Sequence, residues 1–375
     1  MKKGERKVKH ALQIAKLLRK ARIWEHPVLR NIPGIWGYVT GRPGDPPMGI
    51  QADITRACTF RCDYCLEHAT KPVHSVIAPG YGPNKPAMMD YATFTKLVMD
   101  NPRAIIVQLQ GQGEPTMHPR FTDMIRYARE SGKIVYSITN GQGRDQKRYR
   151  QTLDDSLDAR LDALLFSVDI GEPEAVEKRR RNMKYGDVMK NIEYCVQRKE
   201  KTDANTVIGI SATITPSNVG DLESSMQRFK QVGAQFVLIS PLVTTKNYTD
   251  AGIYNTSDGF SLSELEALEG TVEKTSHAHN LLALISYNLC ASGNSCTLMR
   301  HMYAVPTADG YARKVCQNWH TGGPSFSTAA DYSAKMRVLD QRVQAFAKGK
   351  DVALMECEGC IVPAILRYKE RRNHG

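Results

Sequence analysis

Arg56-Ala-Cys-Thr-Phe-Arg-Cys-Asp-Tyr-Cys-Leu-Glu67 follows directly on an apolar run, Met48 to Ile54. Cys58, Cys62 and Cys65 are separated by three and then two residues. Three thiols this close cannot form a disulfide framework without leaving an odd sulfur, but they can converge on one metal group. A structural zinc site fits poorly, because zinc usually takes four protein ligands in two close pairs. A [4Fe–4S] cube fits better: three thiolates leave one iron without a protein ligand, open to something else.

Working outward, short apolar runs alternate with longer amphipathic stretches. The runs are Met48–Thr55, Ala104–Gln110, Lys133–Thr139, Ala163–Val168, Val207–Ile214 and Phe236–Ser240. Helix-like segments lie near 91–100, 119–131, 172–198 and 219–232. Buried strands alternating with helices predict a parallel sheet with crossover helices. The expected fold is therefore α/β, a partial (β/α)6 TIM-like barrel over residues 48–245. Chemistry in such barrels sits at the C-terminal ends of the strands, and the cysteine triplet falls in the loop after the first. Residues 246–287 read as a connecting helix (Leu262–His277) and strand (Leu281–Tyr287). They are followed by a cysteine-bearing region, 288–362, and a basic tail, 363–375.

Nine cysteines in 375 residues are too few, and odd in number, for a disulfide-rich secreted domain. No secretory h-region or run of some 18 apolar residues is visible, so the expected location is cytoplasmic. The net charge of +12 and pI of about 9.2 predict attraction to something anionic, and equally serve solubility. Residues 1–47 form a basic extension and linker. Within it, Val8, Leu12, Ala15, Leu18 and Ala21 recur at helical spacing. That stretch, residues 5–23, either packs on the body of the protein or makes peripheral contact with an anionic membrane. A non-catalytic iron–sulfur protein that binds nucleic acid is the reading from a different class. No recognition helix or aromatic-rich sheet motif supports it.

With Tyr64 just before the last cysteine, Cys58-x3-Cys62-x2-Cys65 resembles the signature of the radical S-adenosylmethionine superfamily. Further matches follow in order. Gln110-Gly-Gln-Gly-Glu-Pro115 resembles the family's Gly-Gly-Glu segment, with Gln112 in place of a glycine. Thr139-Asn-Gly141 resembles a loop facing the cofactor, and Ser167-Val-Asp169 the Ser-x-Asp position at the ribose or carboxylate. The resemblance covers about residues 48–243. It implies a [4Fe–4S] cluster on Cys58, Cys62 and Cys65, whose open iron is chelated by S-adenosylmethionine. An electron from the reduced cluster then cleaves the sulfonium to a 5′-deoxyadenosyl radical that takes hydrogen from substrate. It further implies cofactor contacts at Tyr64, Gly111, Gly113, Glu114, Pro115, Thr139, Asn140, Ser167, Asp169 and Ser211. A one-electron donor such as flavodoxin or ferredoxin is also implied. The Arg179–Arg181 run supplies either a carboxylate partner or a solvated helix face.

Cys296, Cys316 and the pair Cys357-Glu-Gly-Cys360 resemble the Twitch or truncated SPASM extension of such enzymes, which holds an auxiliary [4Fe–4S] cluster. In that arrangement Tyr303 to Gly310 forms a hairpin turning at Asp309-Gly310. Four thiolates from separated stretches also suit structural zinc. Cys195 reads as an ordinary buried thiol. Cys290 has three open roles: auxiliary-cluster ligand, donor of a hydrogen atom back to a substrate radical, or core residue. The expected substrate is a small polar metabolite or glycoside, dehydrogenated or epimerised. The alternative is a ribosomally made peptide.

Overall fold

In the computed structural model the described residues are 48–65, 68, 88–111, 113–242, 258–286, 291–292, 295–296, 302–305, 338, 341–346 and 348–350. The predicted alternation forms. Strands β1 (Gly49–Ala52), β3 (Ile106–Leu109), β4 (Ile134–Thr139), β5 (Ala163–Ser167), β7 (Val207–Ile214) and β8 (Phe236–Pro241) lie parallel in one sheet. Two short strands, β2 (Arg61–Cys62) and β6 (Arg180–Arg181), pair separately and antiparallel.

The sheet is wider than the six strands expected. Leu282–Ile285 (β9) joins parallel to β8 at one edge, and Met302–Val305 (β12) joins parallel to β1 at the other. The order is β12-β1-β3-β4-β5-β7-β8-β9, and no pairing closes the two edges among the described residues. Residues 302–305, expected in a hairpin between two cysteines, thus extend the main sheet. A short antiparallel pair joins Ala291–Ser292 (β10) to Ser295–Cys296 (β11). Asp309 and Gly310 lie outside the described residues.

The crossover helices are α1 (Tyr91–Asp100), α2 (Phe121–Glu130), α3 (Gln146–Asp158), α4 (Pro173–Arg179), α5 (Tyr185–Lys201), α6 (Leu222–Gln231) and α7 (Leu262–Ala278). Sequence reading missed α3. Its stretch QKRYRQTLDDSLD is strongly polar, and only Tyr149, Leu153, Ser156 and Leu157 turn inward. It starts where the Asp145 carboxylate accepts from the Arg148 backbone N–H at 3.0 Å, a strong start signal. The single helix expected over 172–198 is two, separated by β6. Among the described residues no helix is long and apolar enough to cross a membrane.

Two faces of the sheet divide the labour. Thr139 Oγ1 meets Tyr149 Oη of α3 at 2.9 Å, so Val135, Ser137 and Thr139 face the helices. Val107, Leu109, Phe166, Ile208, Ile210, Val237 and Ile239 are buried there too. The alternate positions line the inside of the curve, since successive side chains in a strand point to opposite faces. Registers Gln108↔Tyr136 and Ser167↔Ser211 set polar groups side by side on that inner surface.

Candidate active site

The cysteine loop leaves β1 at the C-terminal end of the sheet, as expected. The Thr55 hydroxyl accepts from the Ala57 N–H at 3.0 Å, which turns the chain. Phe60, 1% exposed, plugs the middle of the loop into the core. Beyond it, Cys62 lies opposite Arg180 and Arg61 opposite Arg181 in the β2–β6 pair. The Asp63 N–H donates to Arg179 O at 2.9 Å, and the Cys65 N–H to Cys62 O at 3.0 Å. The loop is therefore zipped to the stretch after α4 as well as tethered to β1.

Cys58, Cys62 and Cys65 form no disulfide and are half-buried. Burial pushes the Cys58 thiol up to about 12, and Glu114 adds to the rise. Cys62 is likewise pushed up to about 12 by burial, against the pull of Arg180, which favours its thiolate. The charge of Cys65 acts on both, so the three sulfurs behave as one electrostatic group. Among the described residues no three His, Cys, Asp or Glu side chains converge tightly enough for a single metal ion. A cube is larger, and its thiolates stand at corners rather than around one point. Three cysteines on one clamped loop, none in a disulfide and beside a buried guanidinium, fit such a group.

The Gly-Glu-Pro segment packs under this loop. A Cβ on Gly113 would lie 2.5 Å from both Thr55 O and Ala57 O, so only glycine permits the backbone contact. At Gly111 a Cβ would lie 1.5 Å from Asp53 Oδ1. The Glu114 N–H donates to Ala57 O at 2.7 Å. Its carboxylate accepts from Thr116 Oγ1 and Thr139 Oγ1 at 2.7 Å each and from the Asn140 N–H at 2.6 Å. Burial raises this carboxyl while those hydrogen bonds oppose the rise. Glu114 staples the end of β3 to the end of β4, and Pro115 opens a single 3-10 turn that ends the segment. Gln112 lies outside the described residues.

Asn140 reaches across to the cysteines, its Nδ2 donating to Thr59 Oγ1 at 3.0 Å and lying 3.8 Å from Cys58 Sγ. Tyr64 and Asp169, expected as separate cofactor contacts, are bonded to each other. The Tyr64 hydroxyl donates to Asp169 Oδ2 at 2.6 Å, and Arg180 Nη2 donates to Asp169 Oδ1 at the same distance. The Arg180 guanidinium also lies 5.5 Å from the centre of the Tyr64 ring. Burial works to raise the Asp169 carboxyl, but the charge and hydrogen bond of Arg180 and the Tyr64 hydroxyl hold it below the usual range. Ser167 and Ser211 sit in register on neighbouring strands, half-buried on the inner face.

Sequence reading named the arginine run without assigning it. In the fold each member has its own partner. Arg179 donates to Ile170 O at 2.7 Å, Arg180 pairs with Asp169, and Arg181 pairs with Asp63 at 2.8 Å. The run of three consecutive arginines was the only signal in the sequence. A polar chain on the inner face was also missed. Tyr136 Oη donates to Gln108 Oε1 at 2.7 Å, and Gln108 Nε2 contacts Gln110 Oε1. Cys195 is fully buried in α5, as expected. Cys296 closes β11, whereas Cys290, Cys316, Cys357 and Cys360 lie outside the described residues.

Residues 53–225 match the model of the Radical SAM superfamily. Among curated proteins, the chain is 24% identical over 198 residues to the tungsten-containing aldehyde ferredoxin oxidoreductase cofactor-modifying protein of Pyrococcus furiosus, covering 52% of this chain and 51% of that one. It is 30% identical over 164 residues to GTP 3′,8-cyclase of Klebsiella pneumoniae, covering 42% and 46%. The chain thus spans about half the length of the curated relatives it matches. Among solved structures it resembles Streptococcus suis SuiB bound to S-adenosylmethionine, with a TM-score of 0.59 at 13% identity, covering 85% of this chain and 74% of that one. It also resembles anSMEcpe with bound AdoMet, with a TM-score of 0.57 at 15% identity, covering 88% and 98%. The three-cysteine loop on the first strand and the Gly-Glu-Pro turn beneath it both fall within residues 53–225, the stretch that matches the Radical SAM superfamily.

Proposed function

We infer that this protein holds a [4Fe–4S] cluster on Cys58, Cys62 and Cys65, cleaves S-adenosylmethionine there reductively, and acts on a small polar metabolite or glycoside. The observation that carries this reading is the clamped loop. Three cysteines outside any disulfide stand at the C-terminal mouth of a parallel sheet, backed by the Gly113–Ala57 approach and by Arg180. When bound, the cluster and S-adenosylmethionine supply the one-electron cleavage that generates a 5′-deoxyadenosyl radical and hence hydrogen abstraction. The chain's own residues bind and orient. Gly111 and Gly113 let the backbone come close, Glu114 fixes the ends of β3 and β4 relative to the cysteine loop, and Asn140 lies against Cys58. Ser167 and Ser211 offer adjacent hydroxyls on the inner wall, suited to ribose.

The inner face supports a polar, uncharged substrate. Tyr136 is half-buried, and desolvation of its phenol pushes it above its ordinary value and keeps it a hydrogen-bond donor. Donating to Gln108, it orders the two carboxamides that follow, and such a surface recognises hydroxyl, amide or carbonyl groups. The name of the Klebsiella relative, a cyclase of GTP, favours a polar small molecule over a peptide. An auxiliary cluster on Cys296, Cys316, Cys357 and Cys360 completes the proposal. It is supported by β12, which brings the chain following Cys296 back beside β1, the strand that bears the cysteine loop. Cys290, just before β10, is assigned with it as a ligand or hydrogen donor.

Anaerobic reconstitution tests all of this. About eight irons per chain, with 5′-deoxyadenosine released on addition of dithionite and S-adenosylmethionine, is the expected result. About four irons would remove the auxiliary cluster. Iron content that does not fall by about four per chain when Cys58, Cys62 and Cys65 are all replaced by alanine, or no 5′-deoxyadenosine, would overturn the reading. A ribosomally made peptide consumed in place of a metabolite would redirect the substrate assignment alone.

A further inference from the structure

The buried ion pair beside the cysteines is asymmetric toward them. Arg180 is 7% exposed and lies opposite Cys62 in the β2–β6 pair, a relation that sets Cβ atoms about 5 Å apart. Asp169, 1% exposed, is the carboxylate partner of that guanidinium and follows just beyond β5; at Cys62 the charge of Arg180 acts more strongly than that of Asp169. Both oxygens of Asp169 have partners: Oδ1 Arg180 and, at 3.3 Å, the Thr213 N–H, and Oδ2 the Tyr64 hydroxyl. The Arg180 Nε is buried with no hydrogen-bond partner. The backbone on both sides is pinned, by Asp63 N–H to Arg179 O and by the Arg181–Asp63 pair. The guanidinium can leave neither the cysteine loop nor its carboxylate.

Such an arrangement is a fixed dipole with its positive end toward Cys62. The reduction potential of an iron–sulfur cluster depends on nearby charge, hydrogen bonds to its sulfurs and exposure to solvent. Buried charges act strongly because little water screens them. We propose that Arg180 and Asp169 set the reduction potential of the cluster held by Cys58, Cys62 and Cys65, Arg180 raising it and Asp169 restraining that rise, with Tyr64 pinning Asp169 in place. These are positioning and tuning residues, not catalytic ones. The proposal rests on the reading that the three cysteines hold a cluster.

The decisive property is one of sign. Removing the cation and removing the anion must move the potential in opposite directions, which loss of structure alone would not do. The experiment is an EPR-monitored redox titration of the reconstituted full-length protein without S-adenosylmethionine, with iron and sulfide measured on the same samples. R180Q is expected to lower the midpoint and D169N to raise it, each by about tenfold in the oxidised-to-reduced ratio at fixed potential, which is about 59 mV for a one-electron couple. R180K, which keeps the charge, should return most of the R180Q shift. Shifts of the same sign in R180Q and D169N, or midpoints unmoved in both, would overturn the proposal. If R180Q loses its iron, D169N and R180K still decide it: D169N must rise and R180K stay near wild type. A wild-type chain that takes up no iron defeats the cluster reading first, and this inference with it.

Discussion

Two arginine–aspartate pairs, each with a buried aspartate, stand at opposite ends of the same sheet; Arg180 is buried and Arg129 half-buried. At the N-terminal end, Arg129 Nη1 lies 2.9 Å from Asp162 Oδ2. At the C-terminal end, Arg180 Nη2 lies 2.6 Å from Asp169 Oδ1. Their surroundings differ. Asp162 Oδ2 accepts from the Val135 N–H at 2.7 Å, its own N–H donates to Val135 O, and its carbonyl accepts from Val207 N–H. That pair ties together the starts of β4, β5 and β7. Asp169 instead takes the hydroxyl of Tyr64, a side chain of the cysteine loop. The same chemistry builds scaffold at one end and holds a functional loop at the other. An open cavity of about 430 Å³ beside the lower pair, lined by Arg129, Asp158, Arg160 and Asp203 among others, lies at the end of the strands where such barrels do not place their chemistry.

Breaking the lower pair should produce the largest effect on folding. Asp162→Ala removes a buried partner of Arg129 and the acceptor of Val135 N–H, and should cost about 3–5 kcal/mol in urea unfolding. Iron bound per folded chain should stay at the wild-type level. A variant that folds normally but loses iron would erase the distinction between the two ends.

At the mouth the expected outcome is reversed. Gly113→Ala forces a methyl against two backbone carbonyls at 2.5 Å, and neither can rotate away as a side chain could. The cysteine loop must shift, so the iron of its cluster, about four per chain, should be lost on reconstitution, while the body loses about 1–3 kcal/mol. Iron content equal to wild type would show that the close approach does not govern the loop.

These two positions also mark what the sequence could disclose. Gly113 was readable through the likeness of its Gly-Glu-Pro segment to a family motif, since a glycine-rich turn after a strand is by itself only a turn. The six central strands were readable because burial on both faces produces continuous apolar runs. The edge strands were harder. Met302–Val305 is only four residues, sits far along the chain, and owes its place to pairing with β1 rather than to any local pattern. Helix α3 was missed because its inward stripe is narrow in a charged stretch. The Tyr64–Asp169–Arg180 network was invisible for a different reason: its members are up to 116 positions apart in numbering, and only the fold makes Asp169 their common partner. Each was noticed, but as a separate contact.

A smaller effect sharpens the comparison within the mouth. Tyr64→Phe deletes one hydrogen bond to a charged group and leaves the ring against Arg180. Such a bond contributes about 1.5–3 kcal/mol, and here its loss falls on the loop rather than on the sheet. Chelator-driven release of iron should accelerate several-fold with the global unfolding midpoint nearly unchanged. Equal release rates in the two proteins would show that Tyr64 does not help hold the loop.

The smallest expected effect is that of pH. The Asp169 carboxyl is held below the usual range in the folded protein, first against burial and then through Arg180 and Tyr64. A group with a depressed folded value stabilises the fold fully above its unfolded value, near about 3.9 for aspartate. That stabilisation is lost as pH falls below this value toward the folded one. Many carboxyls titrate in that window, so the informative quantity is the difference between wild type and D169N. In the cluster-free protein, measured by urea unfolding, the advantage of wild type over D169N should be constant from neutral pH down to about 4 and shrink below it. An advantage that grows on acidification would mean that Asp169 is protonated in the folded state, and that Arg180 faces the cysteines without a counter-charge.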